Sequence, residues 1–236
     1  MASVSTKMAE AGSKPVPKAA LLHLDEDTNR IMRDIFKQFG VQAVPIASDG
    51  AARLQKEKFE AIVVRLGPGA DELLSAARNS PSNRRVVMYV ICATAAETIG
   101  VSKYGINAVL NYPLERQSAL KVVRSTHLLV IHELRRYVRI PIVLPITIMY
   151  NNRRSEGSSI EVSAGGMCLK SDLAPVVKEA QGVDVTFELP GGTKVSVSAA
   201  VCWRREKDGQ FGIRFDMADE RRMHVRRWID DYLEHM

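Results

Sequence analysis

The strongest constraint on this chain is a change of hydrophobic period near residue 135. Ahead of it, short and almost wholly apolar runs alternate with stretches whose apolar residues recur at helical spacing. The run 19–24 ends in Asp25-Glu26-Asp27, and Ile31, Met32, Ile35, Phe36 and Phe39 then follow a 3.6-residue period, with Asp27 or Thr28 to cap the start and Gly40 to close the end. The pattern recurs with strands expected over 41–47, 59–66, 86–92 and 108–111 and helices over 50–58, 71–79 and 95–104. Apolar strands separated by helices imply a doubly wound, five-stranded parallel sheet covered on both faces. Chemistry in such a sheet sits at the carboxyl ends of the strands.

Residues 115–134 read as one long helix, a connector or a dimer face, and Pro141 and Pro145 end helical structure soon after it. Beyond, short strands are expected over 146–149, 158–162, 166–169, 183–189, 194–203 and 210–215. They are divided by Asn151-Asn152, Pro190-Gly191-Gly192 and Asp208-Gly209. Such regular turns point to a small six-stranded antiparallel barrel. A last helix from about Asp219 can lay Met223, Trp228, Ile229 and Leu233 over it. The expected organisation is a disordered tail (1–17), an α/β domain (18–114), the connecting helix (115–134) and a β domain (135–236).

Composition narrows the function classes. With 46% apolar and 25% charged residues the chain can bury a core. No apolar run reaches the roughly 18 residues of a membrane span, and the opening stretch lacks the apolar segment of a secretory signal. Cys92, Cys168 and Cys202 are widely separated, which suggests neither a disulfide framework nor a metal clip, and a reducing cytoplasm is expected. The net charge of +6 is spread over both halves, so nucleic acid is not the expected partner. Arginine instead clusters locally, which suits small anionic ligands. His127 and His132 are five apart and fall on different helix faces. P-loop, GxSxG and HExxH motifs are missing from the sequence, so no enzyme, cofactor or metal site is expected.

The five β/α units, the acids after the first strand and Tyr112-Pro113 after the fifth resemble a response-regulator receiver. Asp25 and Glu26 match the acidic pair that holds Mg²⁺ in that family, here vestigial. The phosphoacceptor aspartate is matched by Arg65, the hydroxyl residue ending the fourth strand by Cys92, and the lysine before the proline by Tyr112. Arginine cannot form an acyl phosphate, and as a fixed cation it is expected to pair with the acids in place of the metal.

Further on, Arg135-Arg136-Tyr137-Val138-Arg139 precedes Glu161-Val162-Ser163-Ala164-Gly165-Gly166, and Phe211-Gly212-Ile213-Arg214-Phe215 closes the β region. Taken alone, Arg135 and Arg136 are cations facing a helix C-terminus and Arg139 is a solvated linker residue. In combination, the order and spacing resemble the PilZ domain family: an RxxxR, a [D/N]xSxxG after the second strand, and a late Gly-x-Arg-Phe. The resemblance implies cyclic di-GMP as ligand, with Arg135 and Arg139 as the RxxxR pair, Arg136 as a neighbour, and Ser163 and Gly166 in the second motif. Glu161 stands where the family has Asp or Asn, and its extra methylene displaces the carboxylate that would receive guanine N–H groups. Trp203 is expected in the core rather than as a stacking platform.

These features predict a bacterial second-messenger receptor and adaptor in which cyclic di-GMP binding at the RxxxR changes domain orientation or assembly and so controls a protein partner. The partner would dock on the receiver-like domain or the long helix, which is also a candidate homodimer face. The alternative is a ligand-independent protein scaffold built on the same two folds.

Overall fold

The computed structural model describes residues 15–235, so most of the expected tail lies outside the described residues. The chain divides into two compact units, and among the described residues these comprise 15–134 and 135–235.

The first unit runs β1 (Lys18–Leu22), α1 (Glu26–Gln38), β2 (Gln42–Ile46), α2 (Gly50–Lys56), β3 (Ala61–Arg65), α3 (Ala70–Asn79), β4 (Val87–Cys92), α4 (Ala96–Ile99), β5 (Ala108–Asn111) and α5 (Arg116–Tyr137). Its five strands are parallel in the order β2-β1-β3-β4-β5. Strand periodicity sorts the core into two layers. Leu21, Val63, Tyr89 and Ile91 meet Met32, Ile35 and Phe36 of α1 and Ala119 and Val123 of α5. Leu22, Ile62, Val64 and Val90 meet Leu54 of α2 and Leu73 and Leu74 of α3. Because β1, β3 and β4 are buried on both faces, they read as unbroken apolar runs. The edge strand β2 is only half-buried and tolerates Pro45.

Two helices differ from expectation. The segment predicted as a helix over 95–104 is a four-residue α4 followed by a 3₁₀ turn, Ser102–Tyr104. No residue of α4 itself is buried, Ile99 being 75% exposed, and Gly100 follows it, whereas Val101 just beyond packs into the core. The long helix α5 continues past residue 134 to Tyr137 and carries Arg135 and Arg136 in its last turn. Glu133, one turn earlier and buried, pairs with Lys58 at 2.8 Å.

The second unit contains β6 (Ile140–Pro141), β7 (Pro145–Tyr150), β8 (Arg153–Ser163), β9 (Gly166–Ser171), β10 (Gly182–Glu188), β11 (Lys194–Arg205), β12 (Gln210–Phe215) and α6 (Arg222–His235). Six antiparallel strands follow the order β8-β7-β10-β11-β12-β9, and β9 pairs back onto β8 to close a barrel; the two-residue β6 lies beside β8. Asn151 and Asn152, both at positive φ, make the tight turn between β7 and β8. Inward residues such as Ile148, Val162, Leu169, Val185, Val197, Phe211 and Phe215 fill the interior. Val225, Ile229 and Leu233 form the buried face of α6, whereas Met223 is 41% exposed. Strand β8 begins five residues earlier than its apolar pattern suggests. Its first half buries Ser155, and farther along Ser159 donates to Ile142 O and accepts from Leu144 N at 2.8 Å. Among the described residues no helix is long and apolar enough to cross a membrane.

Candidate ligand-binding site

At the carboxyl ends of β1 and β3 in the first unit, Arg65 pairs with Asp25. Asp25 caps α1: Oδ1 accepts from Thr28 N at 2.9 Å, and Oδ2 accepts from Arg65 Nη1 at 3.1 Å. The hydrogen bonds from Thr28 lower the Asp25 pKa most, and the Arg65 charge lowers it further. Arg65 ends β3 and lies 3.8 Å over the Tyr112 ring, a cation–π contact. Both Asp25 oxygens are therefore engaged, and the partner of Arg65 is Asp25, with Glu26 beginning the helix beside it. Burial pushes the Cys92 thiol pKa up, which disfavours the thiolate. Among the described residues no three His, Cys, Asp or Glu side chains cluster as metal ligands.

In the second unit a different set of residues converges. Ser163 ends β8, Gly166 begins β9, and the hydroxyl of Ser163 donates to Gly166 O at 2.8 Å across the two-residue turn. Gly166 is required by the sheet itself: a Cβ there would lie 2.0 Å from Ile213 O on β12, a backbone atom that no rotamer can move away. The neighbouring ladder carries a bulge between Val201 and Trp203, which leaves Cys202 unpaired and re-aims Trp203. The indole then lies over Gly212, where an added Cβ would fall 2.2 Å from Nε1. Arg205 sits 5.3 Å from the same ring.

These features border a cavity of about 360 Å³, within the size range of small-molecule clefts. Arg136, Arg139, Ser163, Gly166, Trp203 and Arg214 line it, joined by Tyr137, Cys168 and Cys202. The lining includes three arginines and no acidic residue, with Trp203 alongside. A forked donor of this type can meet phosphate or guanine with two hydrogen bonds, and an indole face can stack on a base. Cys168 is a poor thiolate, because burial raises its pKa and Glu161 raises it further.

Of the residues marked in the sequence, Arg136, Arg139, Ser163 and Gly166 come together at this cavity. Glu161 stands beside it and pairs with Arg139 at 2.7 Å. Arg135 does not line it. Its guanidinium reaches α6 instead, 3.5 Å from Asp230 and 3.2 Å from Glu234. Trp203 and Arg214 are lining residues that sequence reasoning missed. Their signals were present in Cys202-Trp203-Arg204 and Gly212-Ile213-Arg214, but only the bulge and the glycine clearance give Trp203 its place at the cavity rather than in the core.

Residues 133–233 match the family model described as the PilZ domain. Among solved structures, a sensor protein from Polaromonas sp. JS666 shares 19% identity over 50% of this chain and 99% of that one, with a TM-score of 0.41. The Vibrio cholerae chemotaxis protein CheY4 shares 15% over 47% and 98%, with a TM-score of 0.42. The PilZ domain of CeSA from a cellulose-synthesizing bacterium shares 14% over 41% and 95%, with a TM-score of 0.33. No curated protein matches the chain.

Proposed function

We propose that this chain is a cyclic di-GMP receptor, a reading supported by the match of residues 133–233 to the PilZ domain, a module that is generally a cyclic di-GMP-binding adaptor and typically non-catalytic. The observation that carries this reading is the convergence of Arg136, Arg139, Arg214 and Ser163 on one cavity beside the Trp203 ring. Cyclic di-GMP offers two phosphates and two guanines, each guanine with O6 and N7 as paired acceptors and a flat face. Arg136 and Arg139 supply forks to these groups, Ser163 a hydroxyl, and Trp203 a stacking surface. Arg136 belongs to the last turn of α5, so the ligand acts on the helix end that leads into the barrel. The loaded state then changes how the two units are oriented or assembled and is read by a protein partner. The receiver-like unit contributes a surface rather than a phosphoryl switch, since the receiver resemblance matches the phosphoacceptor with Arg65, at the end of β3.

The test is calorimetric titration of the purified chain with cyclic di-GMP. Wild type is expected to bind, and Arg139→Ala and Ser163→Ala to lose binding while folding normally. Full affinity in both variants removes the site assignment. A ligand-independent scaffold is the second reading. It is favoured by the ion pairs that already occupy Arg135 and Arg139, and an absence of binding by wild type and by variants that free these arginines would select it.

A further inference from the structure

Arg135 and Arg136 are adjacent in the last turn of α5, yet one faces the cavity and the other is held by α6. Asp230 and Glu234 are four apart and so lie on one face of α6, near its end at His235. Carboxylates near a helix C-terminus face the negative end of the macrodipole, so a cation placed against them relieves an unfavourable arrangement. Arg135 supplies that cation. The three side chains are not deeply buried, at 32% exposure for Arg135, 30% for Asp230 and 61% for Glu234, so solvent screens the pairs and keeps them weak. The clasp is also incomplete. Arg135 Nε is buried without a hydrogen-bond partner, so the guanidinium retains a donor that these carboxylates do not use.

We infer that Asp230 and Glu234 act as an internal anionic clasp on Arg135 that the phosphates of the ligand displace, coupling occupancy of the cavity to loosening of the last turns of α6. The inference rests on the cyclic di-GMP reading above and names its regulation. The two free oxygens of a phosphodiester can take Nε and a terminal nitrogen of Arg135 together, a fork that the clasp leaves half used, and the neighbouring Arg136 lines the cavity. Once Arg135 turns to the ligand, the end of α6 keeps two carboxylates at its negative pole and loses the cation that offset them. The segment around Leu233 then opens more often, giving a partner a surface that depends on ligand.

The experiment compares wild type with the near-isosteric double variant Asp230→Asn, Glu234→Gln by titration with cyclic di-GMP, alongside amide hydrogen exchange over residues 229–235. Removing two screened pairs is expected to tighten binding about fivefold. In wild type the ligand is expected to speed exchange in α6, and in Arg135→Ala exchange is expected to be fast already and insensitive to ligand. Equal or weaker affinity in the double variant, or unchanged α6 exchange in a wild type that binds, overturns the clasp and leaves the receptor reading intact. Binding by the double variant alone supports the clasp as a complete block. Failure of both proteins to bind overturns both readings.

Discussion

Arg139 Nη1 donates to Glu161 Oε1 at 2.7 Å, so the arginine bordering the cavity is ion-paired before any ligand arrives. The pair is exposed, at 60% for the arginine and 35% for the glutamate, and such pairs contribute at most about 1 kcal/mol. Arg139→Ala is therefore expected to stay within about 1 kcal/mol of wild type in urea unfolding while losing cyclic di-GMP binding. A larger loss of stability would assign the side chain a structural role instead.

Gly166 and Gly212 are predicted to respond differently to alanine. At Gly166 the added methyl meets Ile213 O, backbone of a paired strand, and the ladder must distort; the expected cost is about 2–4 kcal/mol. At Gly212 the methyl meets the Trp203 ring, a side chain that can swing aside. Gly212→Ala should fold, shift the tryptophan emission and weaken ligand binding. Denaturant midpoints and fluorescence spectra of the two variants separate these outcomes, and equal destabilisation would show that Trp203 is locked in place.

Asp219 makes barrel stability sensitive to acid. Its carboxylate pairs with Arg221 at 2.7 Å and accepts from Ser198 N and Arg221 N, each at 3.0 Å. The Arg221 side chain first, and the Ser198 amide second, hold its pKa far below the usual carboxylate range. A depressed folded-state value contributes stability that is fully present above the unfolded pKa of about 3.9 and is lost as pH falls through the folded value. Asp219→Asn is expected to cost about 2 kcal/mol at neutral pH, with the gap to wild type narrowing below about pH 4. A pH-independent gap would mean that the charge is not what stabilises the contact.

Arg65 predicts a negative result in the first unit. Incubation with acetyl phosphate and Mg²⁺ should leave the intact mass unchanged, because an arginine side chain ends β3 and its partner Asp25 is held by Thr28 N and by Arg65 itself. A mass gain mapping to this pocket would contradict the geometry.

Residues whose environment is set by near neighbours in sequence were legible before the structure. The apolar runs of β1, β3 and β4 announce strands buried on both faces, whereas the cap of α1, expected at Asp27 or Thr28, is Asp25, whose Oδ1 accepts from Thr28 N. The first half of β8 was hidden, because its inward positions include Ser155, whose burial depends on partners distant in sequence. In α4 no residue is buried, so nothing extends it into the single helix expected over 95–104. The site shows the same division. Arg139 and Ser163 could be named from spacing, whereas the opposite fates of Arg135 and Arg136 depend on where α6 lies. The role of Trp203 depends on a bulge and on a glycine one strand away.

Closure of the barrel by β9 on β8 constrains how another protein can engage this unit. Where its strands are paired on both sides, the ring offers no free row of amides and carbonyls to an incoming extended segment, whereas the Lys194–Val197 stretch of β11 is paired on one side only, with β10. A partner that met the closed part of the ring would read side chains rather than backbone.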